Sequence, residues 1–453
     1  MIDDLLLCGA PLALLFSSGW GVAIEIAVLV FSIIGISLAS RGRRHDARAL
    51  VDSACEAFGL QFESREANDR EARGQFEGHD VRLVDGDLDQ TGRRLLQVTL
   101  SGKMGKGVTI DRRSLTDSPG AEPKNRILTG DADFDRHFTV RGDRGQALAL
   151  LSRPARVILL KGEGLGFLFT NGELCWSGGQ AGAKQLHEVL EITREAASAL
   201  FSGTKHERLL ESLSHDPIPS FRMQCLRFLL GSDRDAAIAE AIRIGLADTD
   251  RRLQIVAAGH SQDKAGELLK ALEDGTTEEQ SLAVEMLGVQ EHLGDSSKVA
   301  KRMLRAARAS DYGPVIAAVL DMVREKGLPV SRSELEPFVG HRETDVARAL
   351  AELAGVSDLQ LEDLLIRDLG RAGLPARTCR AIISVLATKG SVASVPVLRQ
   401  CTDPARYSER VRSAAASAIV QIQAQLGDLE RGGLSVSSAT HDSGGLTVSD
   451  SAS

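Results

Sequence analysis

One pattern constrains the fold of this chain more than any other: pairs of short amphipathic helices recur about every 30 residues from His206 to Gly427. In the second helix of each pair, small and aliphatic residues fall three and four positions apart, which places them on one helix face. These second helices are predicted at Pro219 to Leu230, Thr277 to Gly288, Thr344 to Ala354, Pro375 to Leu386 and Ser408 to Ile419. Such pairs bury their apolar faces against neighbouring pairs, so the sequence predicts an all-α solenoid over residues 204–427.

The composition supports this prediction and disfavours nucleic acid as a partner. Aromatic residues make up only 4% of the chain, as expected for a thin core of Leu, Ala, Val and Ile. The formal net charge of -8 does not suit a surface that grips a phosphate backbone. The six cysteines lie far apart without a CxxC pair, so we expect them to be reduced residues of the core.

The amino-terminal residues predict a membrane anchor. Trp20 to Ala39 is an apolar run of about 20 residues, enough to cross a hydrocarbon core of about 30 Å. The start of the chain is acidic and the exit, from Arg41 to Arg48, is basic, so the positive-inside rule places the bulk of the chain in the cytoplasm. A cleaved signal peptide would need the opposite order of charges. Glu25 lies inside the predicted span and either contacts a partner helix or snorkels to the surface.

Residues 45–203 have Gly-rich turns and alternating apolar residues with a helix at each end, and this pattern predicts an α+β domain. Helices are expected at 45–60, 145–151 and 183–201, and strands at 75–84, 95–100, 108–111, 137–141 and 166–176. Asn171-Gly172 lies between alternating apolar residues and predicts a tight hairpin. Antiparallel strands with helices on one face fit this order better than a parallel sheet.

The predicted fold class is therefore an α+β domain plus an all-α, HEAT-like α-solenoid, preceded by a transmembrane helix. The domains are expected at residues 1–44, 45–203 and 204–427, with a disordered Gly- and Ser-rich tail at 428–453. The tail contains a near duplicate, Gly432 to Val436 and Gly444 to Val448. The two copies are either a bivalent short motif or a chance repetition.

The sequence contains no catalytic constellation that we can identify. The triplets Asp85-Asp87-Asp89 and Asp131-Asp133-Asp135 lack the glycine and glutamate of a calcium loop, so we expect solvated turns and caps. Gly102 to Gly107 lacks the Ser or Thr of a phosphate loop, and Gly162 to Gly166 precedes a strand where a dinucleotide motif needs a helix. We therefore predict no metal, no cofactor, no small-molecule substrate and no enzyme activity.

Two stretches resemble known families. The paired helices, with a small residue midway and Leu287-Gly288 or Leu426-Gly427 near the end, resemble HEAT repeats. That resemblance implies a stack whose second helices bind proteins or peptides. Thr129 to Gly142 (TGDADFDRHFTVRG), after an apolar segment, resembles a bacterial membrane-anchored domain of unknown function and implies no activity.

Arginines recur early in the predicted second helices and are the candidate partner-binding residues. Their row can grip an acidic partner or form a structural ladder with neighbouring aspartates such as Asp248, Asp345 and Asp403. The row consists of Arg222, Arg251, Arg348, Arg377 and Arg410. The sequence thus predicts a membrane-tethered scaffold for protein partners; the alternatives are a lyase-like or enzyme-accessory HEAT protein, or a subunit of an envelope complex in which Glu25 meets a partner helix.

Overall fold

The structure is a computed structural model that describes residues 48–64, 70–88, 94–113, 125–179, 182–357 and 359–429. The chain divides after Phe228 into two compact units. The first unit combines a sheet with helices, and the second is helical throughout its described residues.

The first unit is built around one antiparallel sheet. Its strands are β1 (Gln61–Ser64), β2 (Arg70–Phe76), β3 (His79–Leu88), β4 (Arg94–Ser101), β5 (Val108–Arg112), β6 (Arg126–Ile127), β7 (Phe138–Gly142), β8 (Leu168–Thr170) and β9 (Glu173–Gly178). Their order across the sheet is β1-β2-β3-β4-β9-β8-β5-β7-β6. Every pairing is antiparallel, as the sequence predicted.

Two tight turns show how local sequence sets the strand boundaries. Asn171 and Gly172 have positive φ angles of 51° and 89°, as a two-residue hairpin turn requires, and the predicted hairpin is confirmed as β8 and β9. The strand predicted over residues 75–84 is instead interrupted at Glu77 and Gly78, with φ angles of 51° and 78°. This second turn joins β2 to β3.

Helices cover part of this sheet and extend the first unit. They are α1 (residues 48–57), α2 (Ala132–His137), α3 (Arg144–Leu150), α4 (Arg153–Lys161), α5 (Gly182–Phe201), α6 (Lys205–His215) and α7 (Pro219–Leu230), which crosses the division between the units. Helix α5 packs on β4 and β9, and α6 packs on α3. The first predicted repeat pair, α6 and α7, thus belongs largely to the unit that contains the sheet.

The second unit consists of helices that alternate between two layers. They are α8 (Asp235–Leu246), α9 (Arg251–Gly259), α10 (Ala265–Asp274), α11 (Thr277–Val289), α12 (Ser296–Ala309), α13 (Gly313–Glu325), α14 (Arg332–Leu335), α15 (Thr344–Val356), α16 (Glu362–Leu369), α17 (Ala376–Lys389), α18 (Val395–Gln400) and α19 (Glu409–Leu429). Helices α9, α11, α13, α15, α17 and α19 pack side by side, and we call them the second-helix row. The predicted helices at 277–288, 344–354, 375–386 and 408–419 all lie in this row.

Helices of the second-helix row run parallel. Thr378 at the start of α17 donates from Oγ1 to the Thr344 carbonyl at the start of α15, at 3.4 Å. Lys389 at the end of α17 donates from Nζ to the Ala354 carbonyl near the end of α15, at 3.2 Å. All amino termini therefore lie along one edge of the row, and all carboxyl termini along the other.

The predicted fold class is wrong in its membrane component. The structure is mostly helical with one antiparallel sheet, and no helix among the described residues is long and apolar enough to cross a membrane. The two longest described helices fail because charged and amide side chains run through them: α5 contains Lys184, Glu188 and Glu195, and α19 contains Arg412 and Gln421. The predicted single-pass membrane localisation is wrong for the same reason, because no described helix could form the span.

Several predictions fall on parts of the chain that the structure does not describe. The predicted span at 20–39 and its Glu25 lie outside the described residues. Residues 428 and 429 end helix α19, whereas the rest of the predicted tail, with both copies of its near duplicate, lies outside the description.

Candidate functional site

The five arginines predicted as one row have different environments. Arg222 is buried on α7 and donates from Nη1 to the Asp216 carbonyl at 2.8 Å. Arg251 pairs with Asp274 on α10 and lies 3.7 Å from Glu279 on α11. The hydrogen bond to Asp274 raises the pKa of Arg251 above its ordinary value. These two arginines are engaged within the fold, and the partners found for them are not the aspartates that the sequence suggested.

Arg348 belongs to an ion network that joins α13 to α15. Its guanidinium lies 2.9 Å from Asp321 on α13 and 2.9 Å from Glu352 on its own helix. Asp345 is 3.8 Å away, so the predicted aspartate takes part. Arg324 joins the same two carboxylates. The hydrogen bond to Asp321 is the main cause that raises the pKa of Arg348. Arg348 is therefore engaged within the fold.

Arg377 and Arg410 differ from these three. Both side chains are exposed in the walls of open cavities, and neither forms an ion pair with a carboxylate among the described residues. Asp403, the predicted neighbour of Arg410, lies 3.8 Å from Arg406 instead. Arg380, one turn after Arg377 on α17, is also exposed and without a recorded ion pair among the described residues.

The second residue of each helix in the second-helix row occupies an equivalent place. On α9 and α11 these residues are Arg252 and Glu278, and their side chains form an ion pair of 3.2 Å between neighbouring helices. Side chains at this position thus reach across to the next helix. On α17 and α19 the second residues are Arg377 and Arg410; Arg377 lines one open cavity between these helices, and Arg410 lines a second cavity together with Arg380.

At the carboxyl-terminal edge of the second-helix row, donor side chains bind the carbonyl groups of the helix ends. A helix carboxyl terminus has unpaired carbonyl groups and partial negative charge, which cationic and amide donors stabilise. Gln290, after α11, donates from Nε2 to the Ala258 and Gly259 carbonyls of α9 at 2.7 and 3.0 Å. Lys389 does the same for α15, donating to the carbonyls of Ala354 and Ser357.

Helix α17 breaks the corresponding rule at its amino terminus. Partial positive charge there favours acidic residues in the first turn, and α11, α15 and α16 have them. Helix α17 has no acidic residue in its first turn and no side-chain cap; it has Arg377 instead. Helix α19 has Glu409 beside Arg410. Helix α13 likewise has neither an acidic first-turn residue nor a side-chain cap, and α9 and α12 have no acidic first-turn residue; α17 differs from α13 in having an exposed arginine there.

A groove with this unusual charge lies between α17 and α19. Two open cavities, of about 540 and 650 Å³, share Arg380 and Ala414 in their walls. The floor is formed by small and aliphatic residues such as Ala381, Ile383 and Ala418. Glu409 is the acidic residue in the walls. We call this surface the basic groove and define it by its exposed polar residues Arg377, Arg380, Ser384, Arg410, Ser413 and Ser417.

Helix periodicity explains why these side chains share one surface. Arg377, Arg380 and Ser384 are three and four residues apart on α17 and therefore lie on one face. Arg410, Ser413 and Ser417 have the same spacing on α19. Sequence analysis identified Arg377 and Arg410 but missed Arg380 and the three serines. The spacing itself was the available signal, because α15 has Asp345, Arg348 and Glu352 in the matching pattern.

The acidic motif of the first unit is used for structure. Asp135 accepts from the amide and hydroxyl of Thr129, both at 3.0 Å, and from the Gly130 amide at 2.9 Å. Asp131 caps α2 by accepting from the Phe134 amide and also binds Arg156 at 2.9 Å. The prediction that these aspartates are turn and cap residues is confirmed. No group able to hold a metal ion is found among the residues that the structure describes.

Cys175, Cys225, Cys379 and Cys401 are free thiols. Burial raises the pKa of Cys379 to about 11, and it also raises the pKa of Cys225 and Cys401. A thiol with a raised pKa stays protonated near neutral pH and is a weak nucleophile. The prediction of reduced core residues is confirmed for Cys225 and Cys379.

Comparison of the chain with protein-family models, curated proteins and solved structures finds no match.

Proposed function

We propose that this protein is a protein-binding scaffold whose helical repeats hold an acidic segment of a partner protein in the basic groove. The observation that carries the proposal is the set of three exposed arginines on α17 and α19 without recorded carboxylate partners in the described residues. The resemblance to HEAT repeats supports the same kind of activity, since it implies binding along the second helices.

The charge pattern favours an acidic protein segment. Arg377 and Arg410 lie at helix ends that already have partial positive charge, so an anion in the groove relieves repulsion and gains hydrogen bonds. The small residues of the floor, including Ala381 and Ala414, leave room for an extended backbone to approach. The net charge of -8 makes a long nucleic acid a poor occupant.

A direct binding titration tests the proposal. The probe is a fluorescein-labelled decapeptide of five Gly-Glu repeats, and binding to the full chain is followed by fluorescence anisotropy. We expect the peptide to bind, and a matched peptide of five Gly-Lys repeats to fail. In Arg377→Gln/Arg410→Gln the dissociation constant should rise about tenfold to thirtyfold, because each exposed ion pair contributes up to about 1 kcal/mol.

The control variant is Lys301→Gln/Arg305→Gln, which removes the same charge from exposed positions on α12. Its dissociation constant should stay within about twofold of wild type, since surface charges more than a Debye length of about 8 Å from the ligand are screened. The proposal is rejected if wild type does not bind the Gly-Glu peptide, or if both variants weaken binding equally.

A further inference from the structure

The basic groove combines two kinds of donor. Each arginine provides a planar fork of N–H groups, and each wall adds serine hydroxyls at the same spacing: Ser384 follows Arg380 on α17, and Ser413 follows Arg410 on α19. These serines are exposed. Hydroxyl groups add little to the binding of a single carboxylate that is already paired with an arginine, so their presence points to a ligand with more acceptor oxygens.

Geometry allows the three guanidinium groups to converge on one ligand. Arg377 and Arg380 are neighbours on one helix face, with Cβ atoms about 5–6 Å apart. Arg410 lies on the adjacent helix, at an interaxial distance of about 8–10 Å. Arg380 lines both open cavities of the groove, with Arg377 in the wall of one and Arg410 in the wall of the other, so it links the two.

The charge of the groove matches a phosphate monoester better than a carboxylate. Three arginines and Glu409 leave two net positive charges in its walls. A phosphorylated side chain has about -1.5 to -2 charges near neutral pH and three acceptor oxygens. A carboxylate has one charge and two oxygens, so it satisfies one arginine fork. The amino terminus of α17 has no side-chain cap, so its first backbone N–H groups also favour a phosphate.

We infer that the partner segment held in the basic groove contains a phosphorylated serine or threonine, bound by Arg377, Arg380 and Arg410 with help from the serine hydroxyls. This inference rests on the proposed function and narrows it to partners that have been phosphorylated. Binding then depends on the modification state of the partner, because the unmodified hydroxyl has no charge to pair with the arginines.

The test uses three fluorescein-labelled nonapeptides of the sequence Gly-Glu-Gly-Gly-Xaa-Gly-Gly-Glu-Gly, in which Xaa is phosphoserine, glutamate or serine. Binding to the full chain is measured by anisotropy at about 0.1 M salt. We expect the phosphoserine peptide to bind about tenfold more tightly than the glutamate peptide, and the serine peptide to bind most weakly. A tenfold difference corresponds to about 1.4 kcal/mol, the size of one further charge-assisted hydrogen bond.

Two variants separate phosphate recognition from general attraction. Arg377→Lys/Arg410→Lys keeps the charge but loses the bidentate forks, so the phosphoserine peptide should weaken more than the glutamate peptide, and the tenfold preference for phosphoserine should shrink to about twofold or less. Ser384→Ala/Ser417→Ala should weaken the phosphoserine peptide by a larger factor than the glutamate peptide. The substituted positions are exposed, and an unchanged circular dichroism spectrum will verify that each variant is folded.

The outcomes distinguish this inference from the proposed function. Equal binding of the phosphoserine and glutamate peptides to wild type overturns phosphate recognition and leaves acidic-segment binding intact. Failure of both peptides, together with failure of the Gly-Glu decapeptide, overturns both. A phosphoserine preference that survives the double lysine substitution overturns the assignment of Arg377 and Arg410 as the phosphate ligands.

Discussion

Arg156 offers a sharp test of how the first unit is held together. Its side chain is buried, and it donates from Nε to Asp131 at 2.9 Å and from Nη1 to the Leu151 carbonyl at 2.9 Å. Its Nη2 lies 3.0 Å from the buried carboxylate of Asp216, which precedes α7. The guanidinium also lies 4.5 Å from the centre of the Phe221 ring. One arginine thus connects α2, α4 and the loop between α6 and α7.

Replacing Arg156 with Met should destabilise the first unit by about 3–5 kcal/mol. Met is shorter than Arg and has no charge and no N–H donor, so Asp216 is left as a buried charge without its partner, and breaking a buried pair in this way typically costs that much. Unfolding in urea can be followed by the fluorescence of buried Trp176 in a Trp20→Phe background. With a denaturant slope of about 2 kcal/mol per molar, the unfolding midpoint should fall by about 2 M.

Two further variants make the reasoning on Arg156 refutable. Arg153→Met removes an exposed arginine from the same helix and should change the free energy of unfolding by less than about 0.5 kcal/mol. Arg156→Met/Asp216→Asn removes both charges and should recover part of the loss, because no unpaired charge stays buried. A loss below about 1 kcal/mol in Arg156→Met, or no recovery in the double variant, would show that the buried ion pair does not stabilise this unit.

Three other predictions concern backbone geometry, helix ends and pH. Gly142 has a φ of 114°, and a Cβ added there would lie 1.9 Å from the Gly107 carbonyl oxygen. Gly142→Ala should therefore lower the free energy of unfolding by about 3 kcal/mol or more in the same urea titration. The control Gly164→Ala, whose added Cβ meets no atom within 4 Å, should lower it by less than about 1 kcal/mol. Gln290→Leu leaves the Ala258 and Gly259 carbonyls without their donor and should cost about 1–3 kcal/mol, and calorimetry should show the loss in the transition of the second unit. Burial raises the pKa of Asp368 above its ordinary value of 3.8, so the folded state binds this proton more tightly than the unfolded chain and stability falls as pH rises from 3.8 through the raised pKa. Asp368→Asn should flatten that decline between pH 4 and 7, and an unchanged slope would show that another group causes it.

Much of the secondary structure could be predicted from the sequence, because its signals are local. The three- and four-residue spacing of apolar side chains located α11, α15, α17 and α19 to within a few residues at their starts. Asn171-Gly172 located the β8–β9 turn, because few other residue pairs adopt positive φ twice in succession. The short elements α2, α4, β1 and β6 were missed, since each is too brief or too closely tied to its neighbours to show a period of its own.

The candidate site could be predicted only in part. Arginine near the start of successive helices is visible in the sequence, and both Arg377 and Arg410 were singled out on that basis. Whether each arginine is engaged depends on acidic residues 23 to 31 positions away along the chain, as for Arg251 with Asp274 and Arg332 with Asp363. The membrane prediction was wrong for a different reason: it rested on the hydropathy of one segment, whereas no described helix has the length and apolarity of a span.

The sequence by itself determined the periodic helices, the β8–β9 hairpin turn and the structural use of Asp131 and Asp135, since each depends on residues close together in the chain. The tertiary structure alone decided which arginines are paired. It matched Arg252 with Glu278 between α9 and α11 but left Arg377, Arg380 and Arg410 exposed in the walls of the basic groove. The physical reason is that ion pairing falls off within a few ångströms, and only the register of neighbouring helices determines which charges come that close.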